Sequence, residues 1–307
     1  MRFGAKALSS VAECVGRTPL LRLSKLTKDL PGVEVYAKLE FLNPGGSVKD
    51  RAGLMMVQQG LASGQFHKNK TLIDATSGNT GIAFSWLGAS MGFNVELVMP
   101  RNVSVARKRI TRAFGATLTF SDPLEGTDGS IVEARRRAEA EPDRYFYTDQ
   151  YSNPANPLAH YMTTGPEILE QTNGRITHFV AGLGTTGTLM GCSRRFKEYD
   201  AKIQVVAVEP AEALHGLEGL KHMPSSMVPA IYEPARHDDK ILVTTDQGWD
   251  MTDALLEQEG LAVGHSSGAA MFGAMKLARA LHAEKREGVI VTVFCDRADR
   301  YFEAGRA

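Results

Sequence analysis

The first turn of this 307-residue chain that could carry chemistry sets a lysine just past a Pro-Gly-Gly sequence: Asn43-Pro44-Gly45-Gly46-Ser47-Val48-Lys49-Asp50-Arg51. Pro44, Gly45 and Gly46 forbid a helix before Ser47, so the spacing predicts a helix capped by Ser47 with Lys49 in its first turn. The positive end of a helix dipole disfavours an ammonium there and favours the neutral amine that Schiff-base chemistry requires. The alternative is a solvated lysine paired with Asp50. A second turn, Asp74-Ala75-Thr76-Ser77-Gly78-Asn79-Thr80-Gly81, surrounds a predicted helix start with hydroxyl and amide groups. Its glycines let backbone N–H groups approach a carboxylate or phosphate, although Ser, Thr and Asn are also ordinary cap residues.

A third turn, Gly182-Leu183-Gly184-Thr185-Thr186-Gly187-Thr188, matches G-x-G-x-x-G, and Glu209 closes the next strand about 20 residues on. That pattern fits a nicotinamide-dependent oxidoreductase. Its three threonines, however, would crowd a pyrophosphate bridge and could instead encircle a terminal phosphate. The fourth turn, Gly264-His265-Ser266-Ser267-Gly268, supplies hydroxyls at another helix start. His265 reads as a packed or partly exposed ring in preference to a catalytic base.

These turns need strands to lead into them and helices to leave them, and the chain alternates the two. Strands are predicted at VEVYAKLE, TLIDA, NVELVMP, ATLTF, THFVAGL, QVVAVEP, KILVTT and GVIVTVFC. Helical periodicity marks GIAFSWLGASMG, VARKRITRAFG, SIVEARRRAEAE, TLMGCSRRFKEY, MTDALLEQEG and SGAAMFGAMKLARALHAEKR, with Gly92 and Gly115 as C-terminal caps. The fold class is α/β with mostly parallel sheets. Punctuation at Ser152–Pro157 divides the chain into two three-layer α/β domains of about four strands each, 1–151 and 152–307. The division leaves room for the first ~40 residues to pack on the other half.

Composition narrows the function. Lys+Arg and Asp+Glu both number 35, which removes the electrostatic case for nucleic acid or a membrane surface as partner. Apolar residues at 43% and charged residues at 23% describe an ordinary globular protein. The three cysteines, Cys14, Cys192 and Cys295, have no metal-ligand spacing, so no metal is expected, and they read mainly as buried and inert. With neither a signal peptide nor a transmembrane run in the sequence, a soluble cytoplasmic protein is expected.

Taken together, the turns resemble the fold type II pyridoxal-phosphate enzymes, the tryptophan synthase β-like group, and specifically the cysteine synthase or O-acetylserine sulfhydrylase family. The resemblance starts at Gly16-Arg17-Thr18-Pro19-Leu20 and runs through NPGGSVKDRAG, TSGNTGIA, DQYSNPANPLAHYMTTGPEI, GLGTTGTLMG and GHSSGAA to CDRADRYF. The wording is most similar to the B-type and O-phosphoserine-using members. The resemblance implies that Lys49 forms the Schiff base with pyridoxal 5'-phosphate. Gly184, Thr185, Thr186, Gly187 and Thr188 would hold the cofactor's phosphate, Asn79 its phenolic oxygen and Ser266 its pyridine nitrogen. Thr76, Ser77, Gly78, Thr80 and Gln150 would bind the substrate carboxylate.

The implied reaction is β-replacement on O-acetylserine or O-phosphoserine by sulfide or another sulfur donor, through an aminoacrylate, giving L-cysteine. Lys221 stands where similar proteins carry an arginine, and it could offer a cation to the leaving group. His265 departs from the apolar residue usual there. The resemblance also implies a homodimer. Condensation with homocysteine, as in cystathionine β-synthases, uses the same chemistry and stays open. The lack of a haem-binding extension and of a regulatory module after Phe302 favours a simple synthase. A catalytically silent binding protein on the same scaffold is the reading from a different class.

Overall fold

The computed structural model describes residues 7–76 and 78–301. Its strands are β1 (Leu20–Arg22), β2 (Val33–Leu39), β3 (Thr71–Ala75), β4 (Val95–Pro100), β5 (Thr117–Ser121), β6 (Tyr145–Tyr147), β7 (His178–Gly182), β8 (Gln204–Pro210), β9 (Asp239–Val243) and β10 (Gly288–Phe294). Its α-helices are α1 (Lys49–Ala62), α2 (Asn79–Met91), α3 (Val105–Ala113), α4 (Gly126–Ala140), α5 (Ala155–Ala159), α6 (Gly165–Gln171), α7 (Gly187–Tyr199), α8 (Thr245–Ala254) and α9 (His265–Ala283).

The strands form two sheets, ordered β1-β2-β10-β7-β8-β9 and β5-β4-β3-β6. All pairings are parallel except β1 with β2. Parallel strands buried on both faces read as continuous apolar runs, which is why most of them are visible in sequence. Alternation along a strand sends neighbours to opposite faces. Ile290 and Phe294 of β10 pack in one cluster with Met271, Ala274 and Ala278 of α9. Val291 and Val293 pack in another with Leu189 and Phe196 of α7. In the smaller sheet, Leu72 and Leu97 meet Met56 of α1 and Phe84 of α2, whereas Ile73 and Val98 meet Ile131 of α4. Each sheet is therefore the middle of three layers.

The strands divide six and four, because β1 and β2, within the first ~40 residues, join the sheet built by the second half of the chain. Strands β1 and β6 are three residues long, too short to show a period. In the Ser152–Pro157 stretch Asn153 Oδ1 accepts from Ala155 N–H and its Nδ2 donates to the Thr148 carbonyl, and Ala155 opens α5. Helix α5 continues into a π-helical turn, His160–Thr164, before α6.

The chain leaves the six-stranded sheet at the end of β2 and enters α1 ten residues later, and this crossing is fixed by a buried ionic fork. Arg51 donates from Nε and Nη2 to Glu40, at 2.7 and 2.8 Å, and from Nη1 and Nη2 to Glu167 of α6, at 2.7 and 2.8 Å. Lys38 of β2 adds an ion pair to Glu167 at 2.7 Å, and Thr18 donates to Glu40 at 2.6 Å. Burial opposes ionisation of both acids, but the guanidinium outweighs it and holds Glu167 down at about 2 and Glu40 below its ordinary value.

Removing one partner of such a network leaves uncompensated buried charge. Arg51→Met is therefore expected to destabilise the protein by about 3–5 kcal/mol, visible as a lower denaturation midpoint by circular dichroism.

Candidate active site

Strand β2 delivers the first functional turn. Asn43, Pro44 and Gly46 break the chain's direction, and Lys49 becomes the first residue of α1. The capping expectation is shifted by one residue: Val48 occupies the N-cap position, while Ser47 Oγ accepts from Lys49 N–H at 3.3 Å. Asp50 does not pair with Lys49. Its carboxylate accepts from Gly45 N–H at 2.5 Å and Trp86 Nε1 at 3.1 Å, and burial pushes its pKa up to about 6 against those donors. Lys49 is thus left half-buried at the floor of a cleft.

That cleft lies between the two sheets and encloses about 420 Å³. The second turn lines it with Thr76, Gly78, Asn79 and Thr80, all at or before the N-terminus of α2; Ser77 lies outside the described residues. Thr80 Oγ1 donates to Gln150 Oε1 at 2.7 Å, and Gln150 Nε2 donates to the Ala75 carbonyl at 2.9 Å, so the two halves of this rim brace each other. Gly184, Thr185 and Lys221 line the same space. A second, smaller space is walled by Lys49, Asn79, Thr185, Thr186, Thr188 and Ser266, with Cys295 beside them. The two spaces share Lys49, Asn79, Gly184 and Thr185 in their walls, so the lysine of α1 and the threonine-rich N-terminus of α7 border common ground.

The third turn has the properties of an anion cradle. Thr186 is the N-cap of α7 in the left-handed region (φ 72°), and its buried Oγ1 has no hydrogen-bond partner among the described residues. A Cβ on Gly184 would sit 2.2 Å from the Gly219 carbonyl, so only glycine fits there. Gly187 instead packs against Asn156, whose Nδ2 donates to Thr185 Oγ1 at 3.1 Å and to the Gln150 carbonyl at 2.8 Å. Thr188 Oγ1 lies 3.3 Å from Nε2 of His160, and that ring's Nδ1 lies 2.9 Å from Thr164 Oγ1. Burial drives the His160 pKa down to about 3, so the ring is neutral.

Glu209, which a dinucleotide site would need for a ribose, is buried, accepts from Met223 N–H at 2.8 Å and pairs with Lys240 at 2.8 Å. The oxidoreductase reading therefore loses its acidic partner. Among the described residues no His, Cys, Asp and Glu group could hold a metal. Burial raises the Cys295 thiol to about 12.

Several residues of the site carry no local sequence signal for their roles. Asn156 sits in the stretch read as punctuation, and His160 lies three residues beyond it. Asp296 accepts from Asn79 Nδ2 at 2.7 Å and Tyr301 Oη at 2.6 Å, and Arg300 donates to both Asn79 Oδ1 and the Gly45 carbonyl. His265, read from sequence as a packed or partly exposed ring, lies between Trp249 and Tyr301, with ring centroids 4.9 and 5.1 Å away.

A lysine amine, a threonine-rich helix N-terminus and a hydroxyl-lined rim thus come together at the cleft. The family model for pyridoxal-phosphate-dependent enzymes matches residues 11–296, and the chain belongs to that family. Within it, the relatives are cysteine synthases. The chain is 51% identical to a cysteine synthase of Aquifex aeolicus over 96% of its length and 91% of the relative's. It is 38% identical to cysteine synthase B of Escherichia coli, over 97% and 96%. The crystal structure of a cysteine synthase from Entamoeba histolytica superposes with a TM-score of 0.91 at 33% identity, covering 99% of this chain and 93% of the other. The architecture is that of fold type II.

Two outcomes follow for the cradle. Gly184→Ala is expected to weaken pyridoxal-phosphate binding by about ten-fold or more, since the loop must shift to admit the methyl, measured by titrating apoenzyme with cofactor. The neutral His160 ring contributes stability fully above its unfolded value of 6.5, and this is lost as pH falls toward 3. His160→Gln should flatten the pH dependence of the urea midpoint in that window by about one proton.

Proposed function

We propose that this protein catalyses β-replacement on an O-activated L-serine, exchanging the β-oxygen substituent for a sulfur nucleophile and releasing L-cysteine. The observation that carries this reading is that Lys49 lines both the space bordered by Thr76, Gly78, Asn79 and Thr80 and the adjoining space bordered by Thr185, Thr186 and Thr188 at the start of α7. Bound pyridoxal 5'-phosphate supplies an aldehyde for an amine and an electron sink for the substrate's α-carbon.

In our reading the main-chain N–H groups and hydroxyls of Gly184 to Thr188 hold its phosphate, aided by the dipole of α7. The Ser266 hydroxyl meets the pyridine nitrogen. A neutral hydroxyl does not keep that nitrogen protonated as a carboxylate would, which weakens electron withdrawal and favours prompt departure of the β-substituent. Asn79 meets the phenolic oxygen. Thr76, Ser77, Gly78, Thr80 and Gln150 receive the substrate carboxylate at the N-terminus of α2, where backbone donors and dipole both favour an anion. Lys49, displaced by the incoming amino group, becomes the base that takes the α-proton and later returns it. Its place on the first turn of α1, with Asp50 engaged elsewhere, leaves the amine free to do so.

The substrates are a small amino acid and a sulfur donor. No described helix is long and apolar enough to cross a membrane. Following the cysteine synthase resemblance, we propose a homodimer acting in the cytoplasm.

Lys49→Ala tests the assignment. The variant should lose the yellow absorption of the covalently held cofactor, and kcat/KM for cysteine formation should fall by about 10³-fold or more. Retention of both would remove Lys49 from the mechanism.

A further inference from the structure

Besides Lys49, two cations stand on the wall of the 420 Å³ cavity: Arg107 from α3 and Lys221 from the loop after β8. Both are committed to carboxylates across the cleft. Arg107 Nη1 lies 2.5 Å from Glu218 Oε2, and Lys221 Nζ lies 3.0 Å from Asp128 Oδ1. Asp128 is itself anchored, because its Oδ2 accepts from Met227 N–H at 2.9 Å. Each cation is also held over an aromatic ring, Arg107 at 5.4 Å from the Tyr301 centroid and Lys221 at 5.1 Å from that of Tyr151. The cations are well covered, at 11% side-chain exposure each, so neither is the solvated lysine or arginine of an open surface.

The wall's formal charge follows directly. Lys49, Arg107 and Lys221 face Glu125, Asp128 and Glu218, so three positive groups meet three negative ones. Once the Lys49 amine is engaged in chemistry the remaining balance is negative. A phosphate leaving group carries close to two negative charges at neutral pH. To reach either cation it would have to displace a carboxylate from a partly buried ion pair and then sit beside that carboxylate. An uncharged acyl group meets no such penalty.

We infer that Asp128 and Glu218 determine donor specificity: by neutralising Lys221 and Arg107 they select a serine ester whose leaving group enters uncharged, such as O-acetylserine, against a phosphate ester. The inference rests on the β-replacement reading above and names its substrate class. It also gives Lys221 a different part from the one its alignment suggests. The lysine is a cation held in reserve by Asp128, and the acid sets whether it can greet an anion.

The test uses the holoenzyme, in wild-type form and as Asp128→Asn and Glu218→Gln. Two quantities are measured: kcat/KM for O-acetylserine and O-phosphoserine with sulfide, and the dissociation constant of inorganic phosphate by calorimetry. Wild type should favour O-acetylserine by about ten-fold or more, and Asp128→Asn should move the donor ratio toward O-phosphoserine by a similar factor. Phosphate should bind about ten-fold tighter to Asp128→Asn, and adding Lys221→Met should reverse that gain. Glu218→Gln should shift both quantities in the same direction. A wild-type preference for O-phosphoserine, or a donor ratio and phosphate affinity unmoved in both variants, would overturn the inference. Failure of both donors in every form would count against β-replacement itself, while the phosphate affinities would still decide the role of the two acids.

Discussion

The site depends on one buried fork. Arg51 reaches Glu40 at the end of β2 and Glu167 on α6, and it sits two residues past Lys49 on the same helix. β2 belongs to the six-stranded sheet and α1 packs on the four-stranded one, so the fork fastens Lys49 at the seam between them. An apolar cluster of equal volume could supply comparable stability. What a guanidinium between two carboxylates adds is direction, since its planar donors accept few orientations. The lysine's position is thereby set by residues from both halves of the molecule.

With that seam fixed, parallel topology does the rest. Strands β3 and β7 run into α2 and α7, and α9 also begins at the cleft, so the helices that border the cavity direct N-termini at it. Open parallel sheets collect ligands at the carboxyl ends of their strands for this reason. Three helix starts and a lysine would make a strongly positive cavity, suited to a cofactor phosphate and a substrate carboxylate but indiscriminate toward other anions. The carboxylates of Glu125, Asp128 and Glu218 on its wall offset part of that potential.

Much of this was legible in the residues. The turns announce themselves through glycine, proline and hydroxyl residues, which have few structural uses in such density, and the long strands through unbroken apolar runs. Gly92, read as a helix stop, is the left-handed cap of α2. What escaped was non-local or short. Strand β1 gains its identity only from pairing with β2, and the Lys221–Asp128 pair joins residues 93 positions apart. Ser47 has the chemistry of a cap, yet Val48 takes the position, and Ser47 instead forms an isolated β-bridge with Asp296, just past the end of β10. Asn156, within the punctuated Ser152–Pro157 stretch, ties Gln150 to Thr185, a link that no local pattern announces.

The least expected residue, His265, is tied to the chemistry through three contacts. Its ring packs on Tyr301, whose hydroxyl donates to Asp296, which accepts from Asn79 Nδ2. Arg300 donates to the opposite atom of the same amide. A donor on one side and a carboxylate on the other determine which end of Asn79 is oxygen and which is nitrogen, an assignment that an isolated amide leaves open. One Nδ2 hydrogen remains uncommitted, and it belongs to the group we assign to the cofactor's phenolic oxygen. An apolar residue at position 265 could fill the same space, but the flat ring between Trp249 and Tyr301 also fixes the tilt of the tyrosine. The departure from the usual residue is therefore a packing choice whose effect extends to the orientation of a single amide, that of Asn79.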